Sequence, residues 1–160
     1  MILRFYTDGA CSCNGKEDAC GGWGVVACLP KKQVKISGGE KSTTNNRMEL
    51  TAVIKALSWY LKHDELKSNV SKIEIYSDSS YVVNAVNQNW LNFWKKNGFI
   101  NSKGEEVKNK DLWLKFISLY THIEDTWCEV EFIKVKGHSG IALNVVADKL
   151  AVKAIERVKG

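Results

Sequence analysis

No apolar run in this 160-residue chain approaches the roughly 20 residues needed to cross a bilayer. The N-terminus enters a strand-like segment at once, without a basic stretch and a cleavable apolar one behind it. A cytoplasmic protein with no membrane attachment is therefore expected. Linkers, low-complexity tracts and internal repeats are also missing, so residues 1–160 read as one continuous domain. A zinc centre is poorly provided for. Cys11-Ser12-Cys13 lacks the spacing of a zinc knuckle, and no fourth ligand accompanies Cys11, Cys13 and Cys20. The cysteines number five, an odd count that suits reduced thiols in a reducing compartment. A disulfide involving Cys11, Cys13 or Cys20 stays open. Strong charge of one sign is absent too: the net charge is only +5, mild for a nucleic-acid binder.

With 44% hydrophobic and 26% charged residues, the chain has enough interior for one core. Residues 2–8 read as a strand. Gly21-Gly22-Trp23-Gly24 opens a second, Val25 to Leu29, and Pro30-Lys31-Lys32 turns into a third near Gln33 to Ser37. Three consecutive strands suggest an antiparallel meander. A helix follows from Thr44 to about Leu61, with Thr44 or Asn45 as cap and Met48, Ala52, Leu57 and Leu61 roughly on one face. Ser71 to Ser77 reads as a buried strand, and a helix runs from Asp78-Ser79 to about Asn87. A lysine-rich helix and another at Lys110 to Tyr120 come next, then a strand at Thr126 to Val135 and a last helix from about Asn144. The pattern predicts an α/β fold, a mixed five-stranded sheet with helices on both faces.

Four acids stand out by context. Asp8 and Asp78 end apolar strand-like runs, whereas Glu49 and Asp148 fall in helix-like segments. Brought together by folding, such acids repel and lose hydration, and a hard cation relieves both. Each also has an ordinary reading taken alone. Asp8-Gly9 is turn chemistry, and Asp78 before Ser79-Ser80-Tyr81 is good capping grammar. Glu49 fits an exposed helix position, and Asp148 could pair with Lys149 or Lys153. Trp90-Leu91-Asn92-Phe93-Trp94-Lys95-Lys96, continuing to Phe99, Lys103, Lys108 and Lys110, interleaves aromatics with lysines, as a surface tracking a phosphate backbone would. The alternative is an amphipathic helix with Trp90, Phe93 and Trp94 in the core.

In order and context these segments, above all Thr43-Thr44-Asn45-Asn46-Arg47-Met48-Glu49-Leu50, resemble ribonuclease H of the prokaryotic type 1 class over nearly the whole chain. The resemblance implies an endoribonuclease that cuts the RNA strand of RNA/DNA hybrids without sequence specificity, leaving 3′-hydroxyl and 5′-phosphate ends. It implies two Mg2+ ions, replaceable by Mn2+, with Asp8 as the bridging ligand, Glu49 and Asp78 on one ion and Asp148 on the other. His138, between Gly137 and Gly140, would assist proton transfer or product departure. Asn14, Thr44, Asn45, Asn46 and Asn144 would contact substrate, as would Trp90, Trp94, Lys95 and Lys96 on a basic helical protrusion at about 88–110. A monomer is the default for so small a nuclease domain. Departures include Ser80 where the family commonly has glutamine, and altered loops after Asn14 and His138. Integrase-like DNA nucleases and a non-catalytic hybrid-binding module are the competing classes, separated from this reading by the Thr43–Leu50 string and by the presence of all four acids.

Overall fold

The computed structural model describes residues 1–136 and 142–159. Strands β1 (Ile2–Ser12), β2 (Cys20–Cys28) and β3 (Gln33–Lys41) form the antiparallel meander, followed by α1 (Asn45–Leu61) and the short α2 (Asp64–Lys67). Then come β4 (Lys72–Ser77), α3 (Ser80–Asn87), α4 (Trp90–Lys96), α5 (Lys110–Glu124), β5 (Glu129–Lys134) and α6 (Ala142–Lys159). The sheet runs β3-β2-β1-β4-β5, with β4 parallel to β1 and β5 parallel to β4.

Alternation in β1 sends Leu3 and Phe5 to one face and Arg4 to the other. Leu3 and Phe5 lie in register with Ile73 and Ile75, and Ile75 with Phe132, so one apolar layer crosses three strands. Met48, Leu50, Val53, Leu57 and Tyr60 of α1 and Trp113 and Phe116 of α5 belong to the same fully buried core. Each such side chain contributes about 1.5–3 kcal/mol by leaving water.

Small residues seat the helices. A β-carbon on Gly9 or Gly21 would strike Met48 or Glu49 of α1, whereas one on Gly22 or Gly24 would strike the Ala151 or Ala147 carbonyl of α6. Neighbouring positions of β2 therefore meet different helices, which places α1 and α6 on opposite faces. Asp8 pairs with Gly24 across the sheet and so shares the face on which α6 packs. Because β2 needs these glycines for close approach, a single Gly24→Val change would force α6 off the sheet.

Several boundaries differ from the sequence reading. The glycines of the second strand lie inside it, since β2 begins at Cys20. The first strand continues to Ser12, so Asp8-Gly9 is paired strand and not a turn. Ser79, not Asp78, caps α3, its hydroxyl accepting from the Val82 N–H. This leaves the Asp78 carboxylate without a capping role. The strand expected from Thr126 starts only at Glu129. Helix α5 runs on to Glu124, and Trp127 adopts φ +65° with 94% of its surface exposed. The stretch from Thr126 to Cys128 expected to open this strand is thus the exit from α5. Four-residue α2 carries no buried side chain to signal it.

Candidate active site

Asp8, Glu49 and Asp78 reach one point from three elements. Asp8 stands mid-β1, Asp78 follows the end of β4, and Glu49 is the fifth residue of α1. Each offers a carboxylate oxygen, and these atoms lie within 4.8 Å of one another. Asp148, in the second turn of α6, lines the same cavity of about 520 Å³ together with Asn45 and Asn46. Sequence order thus becomes spatial convergence.

Main-chain N–H, not a cationic side chain among the described residues, holds the cluster. The Gly9 N–H donates to both the Asp8 and the Glu49 carboxylates, fixing one beside the other. Among the described residues the ion pairs involve Glu74, Asp111, Asp64 and Glu131, and none reaches these four acids. Burial pushes Asp8 up to about 7, and the nearby Asp78 and Asp148 add to the rise while a hydrogen bond with Glu49 opposes it. Glu49 is raised well above the ordinary carboxylate range, by burial first and then by the Asp8 charge. Protonation or a bound cation relieves such a site. Among the described residues the donors are all oxygens, so the set fits a hard ion such as Mg2+ or Mn2+ better than zinc.

The other predicted residues divide between rim and flank. The Asn14 side-chain oxygen accepts the Asn45 N–H at 3.0 Å, binding the loop after β1 to the start of α1. That N–H is one of the orphan donors of a helix start. Thr44 caps α1 by accepting from the Arg47 N–H at 3.2 Å. Asn144 is 5% exposed, and its side-chain oxygen has no partner among the described residues. His138 lies outside the described residues.

On the flank, Trp90 and Trp94 pack against each other with ring centroids 6.2 Å apart, and Trp94 lies 5.5 Å from buried Trp113. Both are half-buried against the core, whereas Phe93 is 51% exposed and Lys95 and Lys96 face solvent in the last turn of α4. Phe93 therefore does not fit the alternative of a helix with Trp90, Phe93 and Trp94 in the core. The five cysteines are free thiols. No helix among the described residues is long and apolar enough to cross a membrane.

Sequence reasoning gave no role to Tyr81, which lines the carboxylate cavity three residues beyond Asp78. Its helical spacing from Asp78 was the available signal.

Comparison with known proteins agrees with this geometry. The family model for RNase H matches residues 2–156. A ribonuclease H of Clostridium botulinum (strain Hall) is 44% identical over 151 residues, covering 94% of this chain and 93% of that protein. Among solved structures, LC9-RNase H1, described as a type 1 RNase H with the type 2 active-site motif, is 29% identical. It superposes with a TM-score of 0.79 over 98% of this chain and 72% of its own. LC11-RNase H1, solved in complex with an RNA/DNA hybrid, shares the fold at 23% identity, with a TM-score of 0.69 over 99% of each chain.

Proposed function

Because the chain belongs to the RNase H family, we propose that it hydrolyses the RNA strand of RNA/DNA hybrids through Asp8, Glu49, Asp78 and Asp148. The observation that carries this reading is the convergence of three carboxylate oxygens within 4.8 Å, two of them on the buried Asp8 and Glu49, with no ion-pair partner among the described residues. Asp8, Glu49, Asp78 and Asp148 would hold two divalent ions, with Asp8 serving both, Glu49 and Asp78 one of them and Asp148 the other. When bound, such ions neutralise the scissile phosphate, activate water and stabilise the departing oxygen. In-line attack breaks the bond from phosphorus to the 3′-oxygen, leaving a 3′-hydroxyl on one product and a 5′-phosphate on the other.

The chain's own groups select and orient the substrate. Amide side chains of Asn14, Asn45 and Asn46 at the cavity rim both donate and accept, as recognition of a ribose 2′-hydroxyl requires. The Thr44 hydroxyl accepts from within the helix and keeps its own hydrogen for a phosphate oxygen of the DNA strand. Lys95 and Lys96, presented on a protrusion spanning about 88–110, engage that strand further along, with Trp90 and Trp94 beneath them. These contacts address sugar and backbone, so cleavage has no sequence specificity. Asn144 of α6 contacts substrate, and His138 moves a proton or assists product departure. His138→Ala should slow cleavage by roughly 10²–10⁴-fold without abolishing it. A loss as complete as that of Asp8→Asn would refute the assisting role.

The direct test is a strand-labelled hybrid incubated with Mg2+ beside duplex RNA, duplex DNA and single strands. Cutting confined to the RNA of the hybrid and lost with EDTA is the expected result. Tight binding without cutting would indicate a binding module, and cutting of duplex DNA an integrase-like nuclease.

A further inference from the structure

The Tyr81 hydroxyl joins elements that the reaction needs at fixed distances. Tyr81 is the second residue of α3, and its side chain walls the carboxylate cavity. Its oxygen accepts from Asn109 Nδ2 at 3.1 Å and from Trp113 Nε1 at 2.8 Å, and its own hydrogen faces the Lys108 carbonyl at 3.5 Å. Both acceptor positions and the donor are thereby engaged.

Each partner leads to a different element. Asn109 heads α5 in the left-handed conformation, φ 61°, yet makes no side-chain cap. Its side-chain oxygen instead accepts from Arg47 Nη1 at 3.2 Å. Arg47 stands two residues before Glu49 on α1 and clamps Asp111 with two further hydrogen bonds at 3.0 and 2.8 Å. Trp113 packs on Trp94 of α4, the helix that ends in Lys95 and Lys96. Between α4 and α5 the chain turns repeatedly, with positive φ at Gly98, Phe99, Gly104 and Asn109 and one isolated bridge, Ile100 to Glu106. A segment so short of ladder pairing takes its direction from its ends. Val107 is buried within it, and the Tyr81 hydroxyl bonds Lys108 and Asn109 at its far end.

We propose that Tyr81 is a positioning residue that sets the distance between the lysine-bearing segment and the carboxylate cluster, so that a duplex held by both presents one RNA phosphate to the acids. This rests on the function proposed above and adds a determinant of substrate placement to it. Tyr81 acts through Asn109, Trp113 and the segment they anchor, not on the reacting atoms.

The test is Tyr81→Phe, which keeps the ring and deletes the hydroxyl, combined in a double-mutant cycle with Lys95→Ala/Lys96→Ala. Folding of each variant is verified by thermal melting. Tyr81→Phe removes all three hydrogen bonds of this hydroxyl and should raise KM for the hybrid about 5–10-fold, with kcat nearly unchanged. The lysine substitutions should raise KM in the parent but add little in the Tyr81→Phe background, because the lysines are already displaced. Additive effects, or a fall in kcat at constant KM, would overturn the proposal. Hybrid affinity measured by anisotropy in EDTA repeats the same cycle without cleavage. If the parent protein cut no hybrid, the proposed function would fall, while the affinity cycle would still decide whether Tyr81 and the lysines are coupled.

Discussion

Strands β1 and β4 are parallel neighbours whose two ends treat acids in opposite ways. Near their beginnings Arg4 lies in register with Glu74, and its Nε meets the Glu74 carboxylate at 2.8 Å. Lys72 bonds Glu131 at 2.7 Å, and the Tyr76 hydroxyl donates to Glu74 at 3.1 Å. Burial alone would raise Glu74, but the Tyr76 hydroxyl and Arg4 hold it below its ordinary value. At the other end Asp8 and Asp78 meet with Glu49 between helix and sheet, no base among the described residues joins them, and Asp8 rises to about 7. The chain thus supplies cations where acids serve the fold and withholds them where acids await an outside ion. Uncompensated carboxylates cost stability, and the cost marks the site.

Substitution separates the two ends most sharply. Asp8→Asn should reduce hybrid cleavage to background while leaving hybrid binding largely intact, whereas Arg4→Ala should leave the cleavage rate unchanged. A gel assay of labelled RNA would show it, and substantial cleavage by Asp8→Asn would remove Asp8 from the ligand set.

Metal-free stability should carry the same contrast in its pH dependence. Asp8 holds its proton more tightly in the folded state than in the unfolded one, so its contribution is complete below about pH 4. That contribution is lost as pH rises through about 7. Urea melts in EDTA should therefore show falling stability over that range, and Asp8→Asn should exceed the parent above pH 7 by about 2–4 kcal/mol. Magnesium should flatten the parent's curve and release protons on binding near neutral pH, a release measurable by calorimetry in buffers of different ionisation enthalpy. A flat curve in EDTA would contradict the uncompensated cluster.

The smallest effects belong to compensated pairs. Glu74 has the opposite sign, its contribution present above the ordinary glutamate value and lost as pH falls through its lowered one. Asp111, held at about 2 by Arg47, contributes above about pH 4 and loses that contribution between there and about pH 2. Its carboxylate is 62% exposed, so Asp111→Asn should cost less than about 1 kcal/mol in a urea melt at neutral pH. A loss several times larger would mean that this pair bears on the Asn109 anchor more heavily than its exposure implies.

Much of this layout was legible from residues alone. The five strands and the helix bearing Glu49 followed from apolar periodicity and turn chemistry, whereas a shared site for the four acids was what the family resemblance implied. The turn alternative for Asp8-Gly9 fails because turn preference is local, whereas pairing with β2 decides whether the chain bends there. Ser79 displaced Asp78 as cap by one residue, a distinction between two good capping residues that only backbone geometry makes. Arg47, Tyr81 and Asn109 escaped notice for a different reason. They are separated by 62 and 28 residues in their mutual hydrogen bonds, and no periodic pattern links them.

The bare face of β2 has a mechanical consequence. Where Gly24 meets Ala147 the gap is closed by main chain on both sides, with no rotamer to swing aside. Asp148 is the next residue after that contact. Its carboxylate is thus referenced to a datum surface, as a machined part is located against a hard stop and not a spring. Side chains elsewhere can jostle with temperature while the fourth acid keeps its bearing on the sheet.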